Sequence, residues 1–167
     1  AGAGLALGLL AGVVLGLVAG LSKAGEVAID PLMQIKRTIP SLALIPLFIV
    51  WFGIGEMAKV ILIAFATVFP VYLNTFAGVR SVDAKLVEAA RSLGLKGLSL
   101  IVHVILPGAL PSFFTGLRYA IGISVLMLVA AEQINAQAGL GYLINQARDF
   151  MRTDIIVVCL IVYAVLG

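Results

Sequence analysis

Charged residues are scarce in this sequence. They make up 11% of its 167 residues, whereas soluble domains carry about 25%. Hydrophobic residues make up 62%, and the mean hydropathy is +1.19. Because so little charge cannot cover a surface in water, the composition excludes an ordinary soluble domain and predicts a protein embedded in a lipid bilayer.

Cysteine, histidine and the motifs of common enzymes are almost missing. The single cysteine, Cys159, excludes an internal disulfide framework, and its apolar neighbours favour a buried side chain. The sequence has no G-x-x-x-x-G-K-[ST], HExxH or CxxC motif, and its one histidine is His103. We therefore predict no catalytic residue, no metal site and no ATP site in this chain. The net charge of +3 does not indicate a nucleic-acid partner, because the cations lie between apolar runs.

Five apolar runs follow one another along the chain, and a bilayer-spanning helix needs about 20 such residues. The runs are Ala1 to Ser22, Thr38 to Gly55, Val60 to Val79, Pro111 to Ala131, and Ile155 onward. They predict an all-α, polytopic membrane helix bundle with five visible spans, in a single transmembrane domain covering residues 1–167. Since the last run is short and no initiator methionine opens the chain, we expect truncation at both ends and six spans in the whole subunit.

Glycine recurs at every fourth position of the first run, from Gly4 to Gly20. In lipid, such a series leaves a shallow groove along a helix that lets another helix approach closely. The neighbour is either a helix of the same subunit or a second copy of the chain. Pro40 and Pro46 are expected to interrupt the second run.

The lysines and arginines divide unevenly between the two sides of the predicted membrane. If segment 80–118 is cytoplasmic, eight of them lie on its side and three on the other. The acidic residues divide evenly, so the bias comes from the cations alone. By the positive-inside rule, segment 80–118 is predicted to face the cytoplasm.

A polar segment between the third and fourth runs predicts one amphipathic helix over residues 82–94. Ser81 is expected to cap this helix, and Gly94 to end it in the left-handed conformation. A helix this short is marginal in water. It therefore rests on the membrane or its own subunit, or it inserts into a cytoplasmic partner. Its apolar stripe consists of Val82, Leu86, Ala89 and Leu93.

Few polar groups lie inside the apolar runs, and these are the candidates for a substrate pathway. Asn74 and Thr75 lie within the third run, and Gln133 follows the fourth. Arg118 is expected about two turns into the fourth span, where it attracts an anion, extends to the headgroups or pairs internally. Glu132 is expected to close a gate or to pair with a cation.

The polar helix and its surroundings resemble the permease subunits of bacterial ABC importers. That family carries EAA, three residues, Gly, nine residues and then I-x-L-P. The matching residues are Glu88-Ala89-Ala90, Gly94 and Val104-Ile105-Leu106-Pro107, with valine in place of the first isoleucine. The stretches "TIPSLALIPLFIVWFGIGE", "FPVYLNTFAGVRSVDAKLVEAARSLGL" and "GLGYLINQARDF" resemble the branch that imports nitrate, taurine and aliphatic sulfonates. "HVILPGALPS" and "ARDFMRTD" are most similar to the aliphatic sulfonate permeases.

The resemblance implies the fold of a type I ABC importer, multi-pass in the bacterial cytoplasmic (inner) membrane. It implies that the helix near 82–94 is a coupling helix, which docks on a cytoplasmic ABC ATPase dimer that binds ATP and Mg²⁺. A second permease copy and a periplasmic substrate-binding protein would complete an importer of small anions, such as aliphatic sulfonates, that works by alternating access. The docking residues carried over are Glu88, Ala89, Ala90, Arg91, Gly94 and Leu95, with Glu88 expected to meet a basic group of the ATPase.

A secondary transporter or channel without an ATPase partner is the alternative. Proline-broken spans and polar groups at membrane depth also occur in such proteins. They have no need of a docked helix with an EAA–Gly pattern. Co-purification with a P-loop ATPase, or loss of transport when ATP is removed, separates the two classes.

Overall fold

The computed structural model describes residues 1–135 and 139–166, and within those ranges every regular element is helical. A 3-10 turn over Ser41–Leu44 precedes α3, and a π-helical turn over Ile101–Ile105 joins α6 to α7. The predicted all-α class is confirmed. The helices are α1 (Gly2–Leu21), α2 (Lys23–Thr38), α3 (Ile45–Phe52), α4 (Glu56–Arg80), α5 (Ala84–Ser92), α6 (Gly97–Leu100), α7 (Leu106–Asn135), α8 (Leu140–Asp149) and α9 (Thr153–Leu166).

Among the described residues, three helical segments are long and apolar enough to cross a membrane, namely α1, α4 and Gly97–Gln133. The number rises to four if α2 and the segment Ser41–Phe52 are counted together as one broken span, and α9 is a shorter apolar helix. Pro40 precedes the 3-10 turn, and Pro46 lies in the first turn of α3. The second run is therefore broken at Pro40, as the sequence predicted, whereas Pro46 is accommodated in the first turn of α3 and does not interrupt it.

The fourth span begins earlier than the sequence predicted. Helix α7 starts at Leu106, and Pro111 lies inside the helix instead of opening it. Pro107 occupies the first turn, where the missing N–H of proline costs least. The segment that passes the span test, Gly97–Gln133, is 37 residues long. Arg118 is therefore more than two turns from its start.

The chain divides into two compact units. The first consists of Ala1–Gly8, Ile39–Thr67 and Ile121–Gly167. Phe48 and Leu62 belong to one apolar cluster of its core, and Ile63 and Met127 to another. A Cβ added at Gly4 would lie 2.8 Å from the Cβ of Ile63, so the glycine allows close helix packing.

The second unit consists of Leu9–Thr38 and Val68–Ala120. Its α1 glycines pack against β-branched residues of α4. An added Cβ would lie 2.7 to 2.8 Å from the Cβ of the facing residue in each case, which is too close for a side chain. The predicted groove is therefore filled by a helix of the same chain. The facing pairs are Gly12–Val71, Gly16–Thr75 and Gly20–Val79.

Candidate functional site

Helix α5 begins at a cap different from the one predicted. Asp83 is the N-cap, and its carboxylate accepts the Lys85 N–H at 2.9 Å. The Ser81 hydroxyl instead donates to the Gly78 carbonyl at 2.9 Å, so the prediction of Ser81 as the cap was wrong. Asp83 directly precedes the first helical residue, and its negative charge is favourable at the positive end of the helix dipole.

Gly94 ends α5 as predicted. Its φ is +90°, and no atom lies within 4 Å of the position that a Cβ would take. The Leu95 N–H donates to the Ala90 carbonyl at 3.0 Å, and the Gly94 N–H donates to the Arg91 carbonyl at 3.0 Å. These bonds satisfy two of the last carbonyls of the helix, as a left-handed glycine stop does.

The side chains of α5 form one anchor and one open surface. Ala90 is 7% exposed, so it packs within its own unit and anchors the helix there. Leu86 and Leu93, from the predicted apolar stripe, are 60% and 84% exposed. Large apolar side chains left open beside charged ones indicate a surface that another molecule covers. Of the carried-over docking residues, Leu95 is half-buried, and the exposed ones are Glu88, Ala89, Arg91 and Gly94.

A polar seam joins α2 to the second half of α4. Its three contacts are Glu26–Arg80, Asp30–Tyr72 and Lys36–Phe69. The ion pair is 2.5 Å long, the Tyr72 hydroxyl donates to the Asp30 carboxylate at 2.9 Å, and the Lys36 ammonium lies 5.9 Å from the Phe69 ring centre. The outward side of α2 is apolar, with Val27, Leu32 and Ile35 more than 60% exposed. Helix α2 therefore turns Glu26, Asp30 and Lys36 toward the protein and an apolar face outward, which suits the membrane interface.

None of the seam residues was predicted as functional. The available signal was the spacing of Glu26 and Asp30, one turn apart, on the face opposite to Leu32 and Ile35. That spacing gave no partner, because the contacts with Tyr72 and Arg80 join residues more than 40 positions apart.

Two of the predicted pathway residues, Asn74 and Thr75, lie in helix packing. The Asn74 side-chain amide donates to the Pro70 carbonyl at 2.8 Å, and the backbone carbonyl of Asn74 accepts the Ser112 hydroxyl at 2.7 Å. Thr75 is 3% exposed and packs against Gly16, and its hydroxyl has no partner within residues 1–135 and 139–166. Neither side chain is exposed in this conformation.

The third candidate, Arg118, has the opposite environment. It is exposed on α7, and in the part of the chain that the structure describes no hydrogen bond or ion pair holds its guanidinium. Phe114, one turn earlier on the same face, is 58% exposed, and Tyr119 is 63% exposed. An internal ion pair of Arg118 is therefore not found within residues 1–135 and 139–166.

The fourth candidate, Gln133, lies beside Glu132 at the end of α7. The Glu132 carboxylate accepts the Gly141 N–H at 3.0 Å, and the Gln133 carbonyl accepts the side-chain amide of Asn145. Gly139, with φ of +120°, allows the chain to pass close to the carboxylate. Glu132 thus stabilises the start of α8 through the helix dipole, and no ion pair joins it to a cation among the described residues.

Solved structures share this fold. The crystal structure of an amino acid ABC transporter with histidines matches with a TM-score of 0.79 and 22% identity, over 98% of this chain and 80% of that one. The MetNI methionine ABC transporter, in an inward facing form, matches with a TM-score of 0.70 and 18% identity, over 98% and 88%. The fold is therefore that of an ABC transporter membrane subunit.

The family model described as "binding-protein-dependent transport system inner membrane component" matches residues 8–167. The chain belongs to this family. It is 54% identical to an aliphatic sulfonates transport permease protein of Escherichia coli over 147 residues, 88% of this chain and 56% of the relative. It is 47% identical to the Bacillus subtilis protein of the same description over 167 residues, which are 100% of this chain and 58% of that relative. A taurine transport system permease protein of Escherichia coli is 42% identical, over 89% of this chain and 54% of that relative.

These matches confirm the sequence-based resemblance to the nitrate, taurine and sulfonate branch. The chain spans a little over half the length of the three curated relatives. No group of three or more His, Cys, Asp or Glu residues that could hold a metal occurs among the described residues.

Proposed function

We propose that this chain is the membrane permease part of an ATP-driven importer of aliphatic sulfonates in the bacterial cytoplasmic membrane. The relatives named above support the substrate class. The observation that carries the ATP-driven mechanism is α5, a short helix held in place by Ala90 and ended at Gly94. Its exposed Leu86 and Leu93 lie beside the charges of Glu88 and Arg91.

In this proposal, residues near 82–94 form the coupling element of one permease domain covering 1–167. The element docks on a cytoplasmic ABC ATPase, which holds ATP and Mg²⁺, whereas this chain holds no cofactor. Glu88 meets a basic group of the ATPase, Ala89 allows close approach, and Arg91 and Leu95 flank the contact. Two permease copies enclose the path, and a periplasmic binding protein delivers the substrate to the outer side. Closure of the ATPase dimer moves both coupling elements, and the spans alternate between inward-open and outward-open states.

The test is ATP hydrolysis by the complete complex in proteoliposomes, with the binding protein supplied on the outer side. Aliphatic sulfonates, taurine, nitrate and bicarbonate are compared. We expect sulfonates to stimulate hydrolysis and to be taken up. Uptake that continues without ATP would instead favour a secondary transporter or channel.

Glu88→Lys tests the docking role of α5. Because Glu88 is exposed, the change should leave membrane insertion intact, while removing a charge-assisted contact with the ATPase that is worth about 1.5–3 kcal/mol. We expect ATP-dependent uptake to fall about tenfold or more, with co-purification of the ATPase weakened.

Asp149→Lys is the matched control, since it makes the same change of charge at an exposed residue of α8. It should leave both the ATPase content and the coupling unchanged. Normal uptake by the Glu88 variant, or an equal loss in the control, would contradict the docking role.

A further inference from the structure

Arg118 lies on α7 beside the middle of the uncharged run of α4. Helix α7 packs on α4 at Gly116, where an added Cβ would lie 2.7 Å from the Asn74 Cβ and 3.1 Å from the Pro70 carbonyl oxygen. Pro70 is the middle of the uncharged run Val60–Val79. Arg118 is two residues further along α7, a displacement of about 3 Å at the helical rise. Its Cα is therefore close to the centre of the span.

Lipid is an unfavourable environment for this side chain. Half of the hydrocarbon core is about 15 Å thick. An extended arginine reaches roughly 7 Å from its Cα at ordinary bond lengths, so the guanidinium stops well short of the headgroups. A charged arginine facing lipid at this depth costs at least about 2.5 kcal/mol on insertion scales. The depth thus disfavours extension to the headgroups, one of the sequence-based alternatives, and favours water or protein beside the exposed face of Arg118.

The sequence offers Arg118 almost no fixed counter-charge at this depth. No aspartate or glutamate occurs at positions 57–82 or 89–131, which include the inner parts of α4 and α7, and none occurs in α1 or α3. The acid nearest in depth is Asp30, whose carboxylate already accepts the Tyr72 hydroxyl at 2.9 Å. A second copy of the chain would bring the same residues and hence the same shortage.

We propose that Arg118 is the transient binding site for the anionic head of the substrate in the translocation path, and that Phe114 contacts its apolar tail. The two residues are four positions apart on one exposed face of α7. A guanidinium binds a sulfonate or another oxoanion through a pair of parallel hydrogen bonds. An exposed phenyl ring one turn away suits a short alkyl chain. The inference rests on the proposed function and names the substrate contact within it.

The test uses the complete importer in proteoliposomes and compares Arg118→Gln, Arg118→Lys and Asp30→Asn. We expect Arg118→Gln to lower ethanesulfonate uptake about tenfold or more, as for one lost hydrogen bond to a charged group, while hydrolysis stimulated by the loaded binding protein persists. Arg118→Lys should retain most of the uptake. Asp30→Asn is the control for an ion pair with a second copy, and an equal loss of uptake there would overturn the inference.

Chemical rescue of uptake distinguishes a charged contact of Arg118 with the substrate from a purely structural role. Arg118→Cys is prepared in a Cys159→Ala background and treated with a positively or a negatively charged methanethiosulfonate reagent. Only the positive reagent should restore uptake, and rescue by both or by neither would overturn the inference. Phe114→Ala should raise the KM for butanesulfonate more than that for methanesulfonate, and equal changes would contradict the tail contact.

The two proposals fail in different ways. A wild-type complex that takes up no sulfonate would overturn the proposed function, and this inference with it. An active wild type together with an unimpaired Arg118→Gln variant would overturn this inference alone.

Discussion

At the scale of single residues, the absence of a side chain decides how closely two helices pack. A Cβ at Gly16 would lie 2.7 Å from the Thr75 Cβ and 2.9 Å from the Tyr72 carbonyl oxygen. Gly122 is also helical, but nothing lies within 4 Å of its added Cβ. The two glycines therefore differ in what a methyl group would meet.

Gly16→Ala should destabilise the protein. The added methyl must push α1 and α4 apart, and overpacking of this kind costs about 1–3 kcal/mol. Thermal unfolding of the purified protein in detergent should show a lower midpoint. Gly122→Ala is the control and should leave the midpoint unchanged or raise it. Equal midpoints for the two variants would contradict the close packing at Gly16.

At the scale of helices, the polar seam fixes α2 against α4. Tyr72 is fully buried, and its hydroxyl is the donor to Asp30. The ion pair between Arg152 and Asp154 is different, because both side chains are more than half exposed. A buried donor to a charged group matters more for stability than an exposed ion pair.

Tyr72→Phe should lower the free energy of unfolding by about 1–3 kcal/mol, since Asp30 loses its hydrogen-bond donor in a half-buried place. Arg152→Gln should change it by less than about 0.5 kcal/mol. Denaturation of both variants in the same detergent, followed by circular dichroism, gives the comparison. A Tyr72 variant as stable as the wild type would show that the seam does not stabilise α2.

The sequence predicted helices best where the pattern was local. The uncharged runs located α1 and α4, and the presence of Gly94 after the apolar stripe located the end of α5. The sequence-based prediction placed the start of α7 too late. Proline is common at the first position of a helix, but Pro111 lies in the second turn of this one. Partners far apart in sequence, such as Glu26 and Arg80, have no local signature. The same limit applies to Arg118, whose depth follows only from the packing of Gly116 on α4.

At the scale of the whole molecule, the distribution of cations predicts the orientation in the membrane. Lys23, the first residue of α2, is predicted to lie on the cation-rich side, and Gln146 in α8 on the other. Both are exposed, whereas the only cysteine, Cys159, is 3% exposed. The native cysteine is therefore expected to react little with a thiol reagent in water.

Lys23→Cys and Gln146→Cys, each with Cys159→Ala, should react with a membrane-impermeant thiol reagent from opposite sides. Lys23→Cys should be labelled only in inside-out vesicles, and Gln146→Cys only in right-side-out vesicles, as the positive-inside rule requires. The unmodified protein should remain unlabelled in both. Labelling of the two variants from one side would contradict the orientation, and with it the cytoplasmic place of α5.

The π-helical turn over Ile101–Ile105 has a mechanical consequence. A π turn is wider than an α turn and less regularly bonded, and Pro107 just beyond it has no N–H to donate to the preceding turn. The chain therefore has a compliant joint directly after α5 and α6. A push on α5 would bend the polypeptide first at this joint, so stiffening these few residues would transmit the same push further into the start of α7.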